Sequence, residues 1–189
     1  MRREARPRLE VLVLFLHLAA LALVLAPPLF FGAVVAPEVF RILPTRDMAG
    51  ALQSPILSKL CVMAEASFLV LFATSWLLTG RDTPRLTRAL LTRLPLLGFF
   101  AALVIRQLLI PPIDKIRAEA PGLIDNLPAA DPARILLDRY HRLSTGFFSL
   151  EIGAALLILL ATARLLARRR AEPSSPVAPK PVPKLLDLS

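Results

Sequence analysis

Four long apolar runs constrain this chain more than any other feature of its sequence. They cover residues 9–35, 57–78, 94–110 and 144–166, and each approaches the roughly 20 residues needed to cross a hydrocarbon layer about 30 Å thick. Lipid offers no hydrogen-bonding partner to bare backbone, so such runs must form helices or a closed barrel, and continuous apolarity without alternation indicates helices. The sequence therefore predicts an all-α integral membrane four-helix bundle.

Composition and charge favour a membrane protein over a nucleic-acid-binding one. The 189 residues are 56% hydrophobic with a formal net charge of +9, whereas soluble domains are typically about 45–50% apolar. A basic chain can bind nucleic acid, but here the arginines stand between apolar runs instead of forming one polar face. This pattern is typical of the flanks of membrane helices, so the lipid bilayer is the expected partner and nucleic acid is not.

The first run predicts a helix with a proline kink. Its 27 residues would extend about 40 Å, too long for an untilted span. Pro27 and Pro28 remove backbone donors, so we expect a kink there, with residues 27–40 bent at the far interface. The alternative is that these prolines only shape packing. The run is also longer than the apolar part of a signal peptide, which predicts that it is retained.

The distribution of basic residues predicts the orientation. Residues 1–8, 79–93 and 164–170 carry four arginines each, twelve in all, against eight basic residues in 36–59 and 111–143. This asymmetry favours cytoplasmic termini, and we interpret the chain as a bacterial inner (plasma) membrane protein.

The apolar runs and their polar flanks divide the chain into three parts. Residues 1–8 are expected to be a basic cytoplasmic N-terminus, 9–167 the transmembrane domain and 168–189 a disordered Pro-rich tail. Short outer-face helical segments are predicted in 111–143, where Asp131 can cap a helix that starts at Pro132.

Ionisable residues inside the apolar runs are the first candidate functional groups. Glu65, Arg106 and Glu151 fall in the outer leaflet, where each unpaired charge would cost roughly 2.5–3.5 kcal/mol. One cation between two acids would reduce these costs. His141 and Ser144 share a helical face with Glu151. The cluster is therefore either a structural ion pair that holds the bundle together or a functional polar pocket.

The sequence predicts no metal, cofactor or catalytic set. His17 lies in the opposite leaflet from His141, which argues against a haem bridging the two. Met48, Cys61, Met63 and His141 are possible copper ligands, but their spacings match no metal-ligand set. No second catalytic partner for His141 is evident, so an enzyme is not the favoured class.

Three stretches resemble a known family. They are FFGAVVAPEVFRILPTRDMAG at Phe30–Gly50, RQLLIPPID at Arg106–Asp114 and YHRLSTGFFSLE at Tyr140–Glu151. Over residues 10–167 their order is similar to that in the domain of unknown function 4149 family, which comprises transmembrane protein 205-like membrane proteins. The resemblance implies a four-helix membrane protein without an established activity. It also implies that Pro37, Arg106, Asp114, His141 and Ser144 belong together.

Three functional interpretations remain open at this point. The first is binding or transport of a small polar solute or ion at an outer-face pocket. The second is a structural or assembly subunit of a membrane complex, as a homo-oligomer or with another membrane protein. The third is a membrane enzyme or a haem or metal protein. The candidate binding residues for the first interpretation are Glu38, Arg41, Glu65, Arg106, Asp114, His141, Ser144 and Glu151.

Overall fold

The computed structural model describes residues 2–80, 82–120 and 122–171, with only the backbone described for residues 2–7. These ranges contain helices and no strand. The helices are α1 (Arg2–Phe30), α2 (Ala36–Ile42), α3 (Arg46–Leu78), α4 (Arg85–Val104), α5 (Ile110–Glu119) and α6 (Pro132–Ala171). Two π-helical turns, Phe31–Val35 and Ile105–Leu109, join α1 to α2 and α4 to α5, and a 3₁₀ turn covers Ile124–Asn126.

Four continuous helical stretches are long and apolar enough to cross a membrane, which confirms the predicted four-helix architecture. They cover residues 8–42, 46–78, 85–119 and 132–171, and each is longer than the apolar run that predicted it. At 1.5 Å per residue the 33 residues of α3 extend about 50 Å, well beyond a hydrocarbon layer of about 30 Å. The helices are therefore longer than a membrane span requires.

The four stretches pack antiparallel around one apolar core. Helix α3 packs against both α1 and α4, and α6 packs against α4 and α1. The core between them includes Val24, Phe68, Leu91 and Ile158, each with no exposed surface. Arg169 of α6 donates to the carbonyl of Leu78 at 2.6 Å, so α3 and α6 end at the same end of the bundle.

Glycine allows close packing at Gly98, but not at Gly146 and Gly153 of α6. The ring of Phe68 occupies the space where a Cβ at Gly98 would lie, so α3 and α4 approach closely there. Gly146 and Gly153 of α6 have nothing within 4 Å of such a Cβ. Both glycines therefore face away from the neighbouring helices.

The irregular turn in the first span lies after Pro27 and Pro28, which remain within α1. The helix instead widens at Phe31–Val35, where Ala36 N donates to the carbonyl of Phe31, five residues back. Ile110 N likewise donates to the carbonyl of Ile105, and both donors immediately precede a proline. A proline ring clashes with the preceding turn of an α-helix, and a wider turn at this point relieves that crowding.

Two predicted boundaries have mixed outcomes. Asp131 Oδ1 accepts from the backbone N–H of Ala133 at 2.8 Å, which confirms the predicted cap before Pro132. Helix α6 continues to Ala171, so the predicted disordered tail is wrong for residues 168–171. Residues 172–189 lie outside the described residues.

Candidate ligand-binding site

A cavity of about 610 Å³ lies at the end of the bundle where α3 begins and α5 ends. Walls from α3, α5 and α6 surround it, and the 3₁₀ turn and α2 contribute to its rim. Its polar lining comprises Arg46, Asp47, Gln53, Ser54, Arg117, Asp125, Arg134, Asp138, His141 and Ser144. Its apolar lining comprises Phe40, Leu57, Ile105, Ile110, Ile113, Ile124, Leu137 and Phe148, with Gly50 completing the wall.

Two aspartates hold the rim of the cavity in place. Asp47 Oδ2 accepts from the backbone N–H groups of Ile124 and Asp125. Asp125 Oδ2 in turn accepts from the backbone N–H of Arg46 at 2.7 Å. Thr45 caps α3 by accepting from the backbone N–H of Met48 at 3.2 Å. A carboxylate that accepts backbone N–H groups at the start of a helix is stabilising. These bonds hold the 3₁₀ turn against the N-terminus of α3.

Helix α5 is joined to α3 through a serine, an aspartate and an arginine. Ser54 Oγ lies 2.7 Å and 2.9 Å from the two carboxylate oxygens of Asp114 and donates to that group. Arg117 Nη1 is 3.9 Å from Asp114 Oδ1, too long for a hydrogen bond. The guanidinium of Arg117 packs against Gly50 in the space that a Cβ would fill. Arg117 therefore lies in the cavity wall because residue 50 is glycine.

Two buried nitrogen donors in this wall have no hydrogen-bond acceptor among the described residues. They are the side-chain amide nitrogen of Gln53 and Nε of Arg117. Gln53 is only 8% exposed, and both side chains line the cavity. An unsatisfied buried donor costs about 1–3 kcal/mol, and native proteins rarely leave one without a partner. Two such donors in one wall point to an acceptor from outside the described chain, which reaches them after the side chains turn toward the cavity, because neither nitrogen has accessible surface.

His141, Ser144 and Phe148 of α6 all line the cavity, as their helical spacing predicted. Ser144 Oγ donates to the backbone carbonyl of His141 at 2.8 Å, which leaves the oxygen lone pairs of this hydroxyl able to accept. The imidazole of His141 is exposed at the rim and makes no hydrogen bond to any residue that the structure describes. The predicted face therefore presents polar groups to the cavity.

Below the cavity, Arg106 and Glu65 form a two-pronged ion pair. Arg106 Nε donates to Glu65 Oε1 at 2.7 Å, and Nη2 donates to Oε2 at 2.9 Å. Arg106 lies within the second π-helical turn, which joins the α4–α5 span to Glu65 on α3. Neither residue lines the cavity. The pair links two helices and neutralises both charges at a position where the two side chains are largely buried.

Glu151 does not complete the predicted arrangement of one cation between two acids. It is only 1% exposed, and within the described ranges neither of its carboxylate oxygens has a hydrogen-bond partner. Arg106 makes its ion pair with Glu65 instead. The prediction that one arginine serves both acids is therefore wrong, because the Nε and Nη2 edge of the guanidinium bonds to Glu65 and no atom of Arg106 hydrogen-bonds to Glu151.

Glu38 and Arg41 pair with each other on α2. Arg41 Nη2 lies 2.5 Å from Glu38 Oε2, with side-chain exposures of 72% and 53%. Neither residue lines the cavity, whereas Phe40 between them does. A spacing of three residues on one helix favours this local pair, and the binding role of Glu38 and Arg41 stays a prediction.

His17 belongs to a separate buried network at the other end of the bundle. Its ring nitrogens are 2.8 Å from Thr74 Oγ1 and 2.9 Å from Thr162 Oγ1. Both threonine hydroxyls also lie within hydrogen-bond distance of a carbonyl of their own helix, at Val70 and Ile158. A neutral imidazole has one N–H and one acceptor nitrogen, so one threonine accepts from the ring and donates to its carbonyl, while the other donates to the ring. The network joins α1 to α3 and α6, which gives His17 a structural role far from His141.

Gln53, Asp47 and Arg117 are important cavity residues that sequence reasoning missed. Asp47, Gly50, Ser54 and Ser58 follow one another along α3 at steps of three to four residues, so they share one helical face. This spacing could have indicated the wall from the sequence. No sequence signal indicates the contact between Gly50 and Arg117, because the two residues are far apart along the chain.

Within residues 8–80, 82–120 and 122–171, no group of three or more His, Cys, Asp or Glu side chains is arranged to hold a metal ion. Comparisons with protein-family models, with curated proteins and with solved structures found no match to this chain.

Proposed function

We propose that this chain is a multi-pass membrane protein that binds a small ligand in the cavity between α3, α5 and α6. Under this proposal Gln53, Arg117 and Ser144 contact the ligand, with His141 at the entrance. Membership of the domain of unknown function 4149 family, an inner-membrane location and cytoplasmic termini are parts of the same proposal. With that orientation the cavity opens on the outer face.

The single observation that carries the proposal is the buried side-chain amide of Gln53, whose nitrogen lacks an acceptor among the described residues. A side chain that only packed helices together would be apolar or paired, since an unpaired buried polar group is costly. The cavity beside it has a volume of about 610 Å³, within the range of about 300–1,000 Å³ typical of small-molecule sites. A ligand that accepts from Gln53 removes this cost.

The Glu65–Arg106 pair has a different role in the proposal. Both residues lie outside the cavity lining, and each satisfies the other. We assign this pair to holding α3 against the α4–α5 span. The pair gives the cavity a rigid base instead of contacting the ligand.

The proposal is tested by recovering the bound ligand. The full chain is purified from membranes in a neutral detergent, and small molecules released on denaturation are quantified by mass spectrometry. We expect a species near one per chain in the wild type and at least tenfold less in Ser144→Phe, whose ring fills the cavity. Gly153→Ala on the same helix is the matched control and should retain the species. No enriched species, or equal amounts in Ser144→Phe, would contradict the proposal.

A further inference from the structure

We propose that the ligand is an amphiphile with an acidic, phosphate- or carboxylate-type headgroup, whose oxygens accept from Gln53 Nε2 and Arg117 Nε. This inference rests on the proposed function and deepens it. It follows from three features of the cavity: the type of its unsatisfied groups, the separation of polar from apolar lining, and the engagement of its acidic side chains.

The first feature is that the unsatisfied buried side-chain groups of the lining are donors. Among the described cavity residues, Gln53 Nε2 and Arg117 Nε lack acceptors, whereas no buried side-chain oxygen of the lining lacks a donor. The two unpaired oxygens of Glu151 belong to a residue outside the lining. A complementary ligand must therefore supply acceptors, and one of the two donors is a guanidinium, which binds oxyanions most strongly.

The second feature is the polarity of the cavity along the bundle axis. Asp47, Gly50 and Gln53 lie near the start of α3, and Leu57 follows one turn deeper. Ile105 and Phe148 line the same deep side on the α4–α5 span and α6, beside the buried cluster around Cys61. A free ion would leave this deep side empty, whereas a hydrocarbon chain would cover it.

The third feature is that the acidic side chains of the lining already accept hydrogen bonds or face solvent, whereas no carboxylate of the described residues hydrogen-bonds to Arg117. Formal charges balance, because Arg46, Arg117 and Arg134 face Asp47, Asp125 and Asp138. However, Asp47 and Asp125 already accept backbone N–H groups, and Asp138 is exposed. Arg117 interacts electrostatically with Asp114, at 3.9 Å, and with Asp47, but both carboxylates accept hydrogen bonds from other groups. An anionic headgroup is therefore favoured over a cation.

The inference is tested with probes that separate the contribution of the charged headgroup from that of the hydrocarbon tail. Dodecyl phosphate, dodecyltrimethylammonium with the same chain, and inorganic phosphate are titrated into the full chain in neutral maltoside micelles, and binding is measured by calorimetry. We expect saturable binding of dodecyl phosphate, at least tenfold weaker binding of the ammonium probe, and still weaker binding of inorganic phosphate. Arg117→Gln and Gln53→Leu should each weaken dodecyl phosphate at least tenfold, while Gly153→Ala should not.

The outcomes distinguish this inference from the proposed function. If the ammonium probe binds as well as dodecyl phosphate, or if folded Arg117→Gln and Gln53→Leu both bind like the wild type, the acidic head is contradicted. If inorganic phosphate binds equally well, the amphiphile is contradicted. If the purified species is lost in Ser144→Phe but carries no acid group, the acidic headgroup is contradicted while the proposed ligand binding is supported. Thermal unfolding of each variant shows that it is folded, and Gln53→Leu provides the test should Arg117→Gln fail to fold.

Discussion

The guanidinium of Arg117 packs against Gly50, in the space that the Cβ of any larger residue would fill. The two residues are on α5 and α3, and both line the cavity. A glycine inside a helix costs about 1 kcal/mol relative to alanine, so this position gives up helix stability to make room for a cation. The contact therefore links the sequence of α3 directly to the chemistry of the cavity.

We expect Gly50→Ala to weaken ligand binding without weakening the fold. The new Cβ overlaps the flexible end of Arg117, which must move away from the cavity wall, while alanine favours the helix by up to about 1 kcal/mol. Binding of dodecyl phosphate should fall at least tenfold, and the melting temperature should stay the same or rise. Gly153→Ala is the matched control, because nothing lies within 4 Å of its new Cβ. Unchanged binding in Gly50→Ala would remove Arg117 from the site.

The Glu65–Arg106 pair should be cooperative. Arg106→Gln leaves a carboxylate without its cation, and Glu65→Gln leaves the guanidinium without its anion, so each single change should lower the melting temperature and the membrane abundance. The double change Glu65→Gln with Arg106→Gln should lower them by clearly less than the two single effects combined. A double-variant cycle by thermal unfolding measures this coupling, and simple additivity would argue against a structural pair.

Glu151 should respond differently from Glu65. Its oxygens have no donor among the side chains and backbone that the structure describes, although the residue is buried within α6. Glu151→Gln keeps the shape and removes the need to accommodate a charge, so the melting temperature should stay the same or rise. Glu65→Gln, measured beside it, should lower the melting temperature. A drop in both variants would show that Glu151 makes an ionic contact that the folded chain requires.

The threonines that contact His17 should contribute more to the free energy of unfolding than threonines that bond only within their own helix. Thr162→Val removes the oxygen 2.9 Å from the His17 ring and leaves a buried nitrogen without a partner, at a cost of about 1–3 kcal/mol. Thr92→Val is the control, because Thr92 donates only to the carbonyl of Arg88 in its own helix, and it should cost less than about 1 kcal/mol. Chemical unfolding in detergent compares the two, and equal costs would argue against the network.

The sequence predicted the architecture better than the site because the two depend on different information. Apolar run length alone identifies the four spans, and an aspartate before a proline identifies the start of α6. The helical face of His141 and Ser144 was also predictable from spacing. In contrast, whether Arg106 bonds to Glu65 or Glu151 depends on helix rotation, which a sequence pattern does not determine.

The widened turns and the far wall of the cavity show the same limit. Pro27 and Pro28 suggested where the first span is irregular, yet the π-helical turn precedes Pro37. The helix widens in the turn just before Pro37, and not at the two prolines inside the apolar run. Gly50 and Arg117 meet only because α5 folds back along α3, so no local pattern contains their contact.

Ligand binding in the cavity is best tested by an experimental density map of the full chain in lipid nanodiscs. We expect density for a bound molecule within hydrogen-bonding distance of Gln53 Nε2 and Arg117 Nε, continuing as an apolar tail toward Leu57 and Phe148. A cavity closed by protein side chains, with both nitrogens bonded to groups of the chain itself, would contradict it.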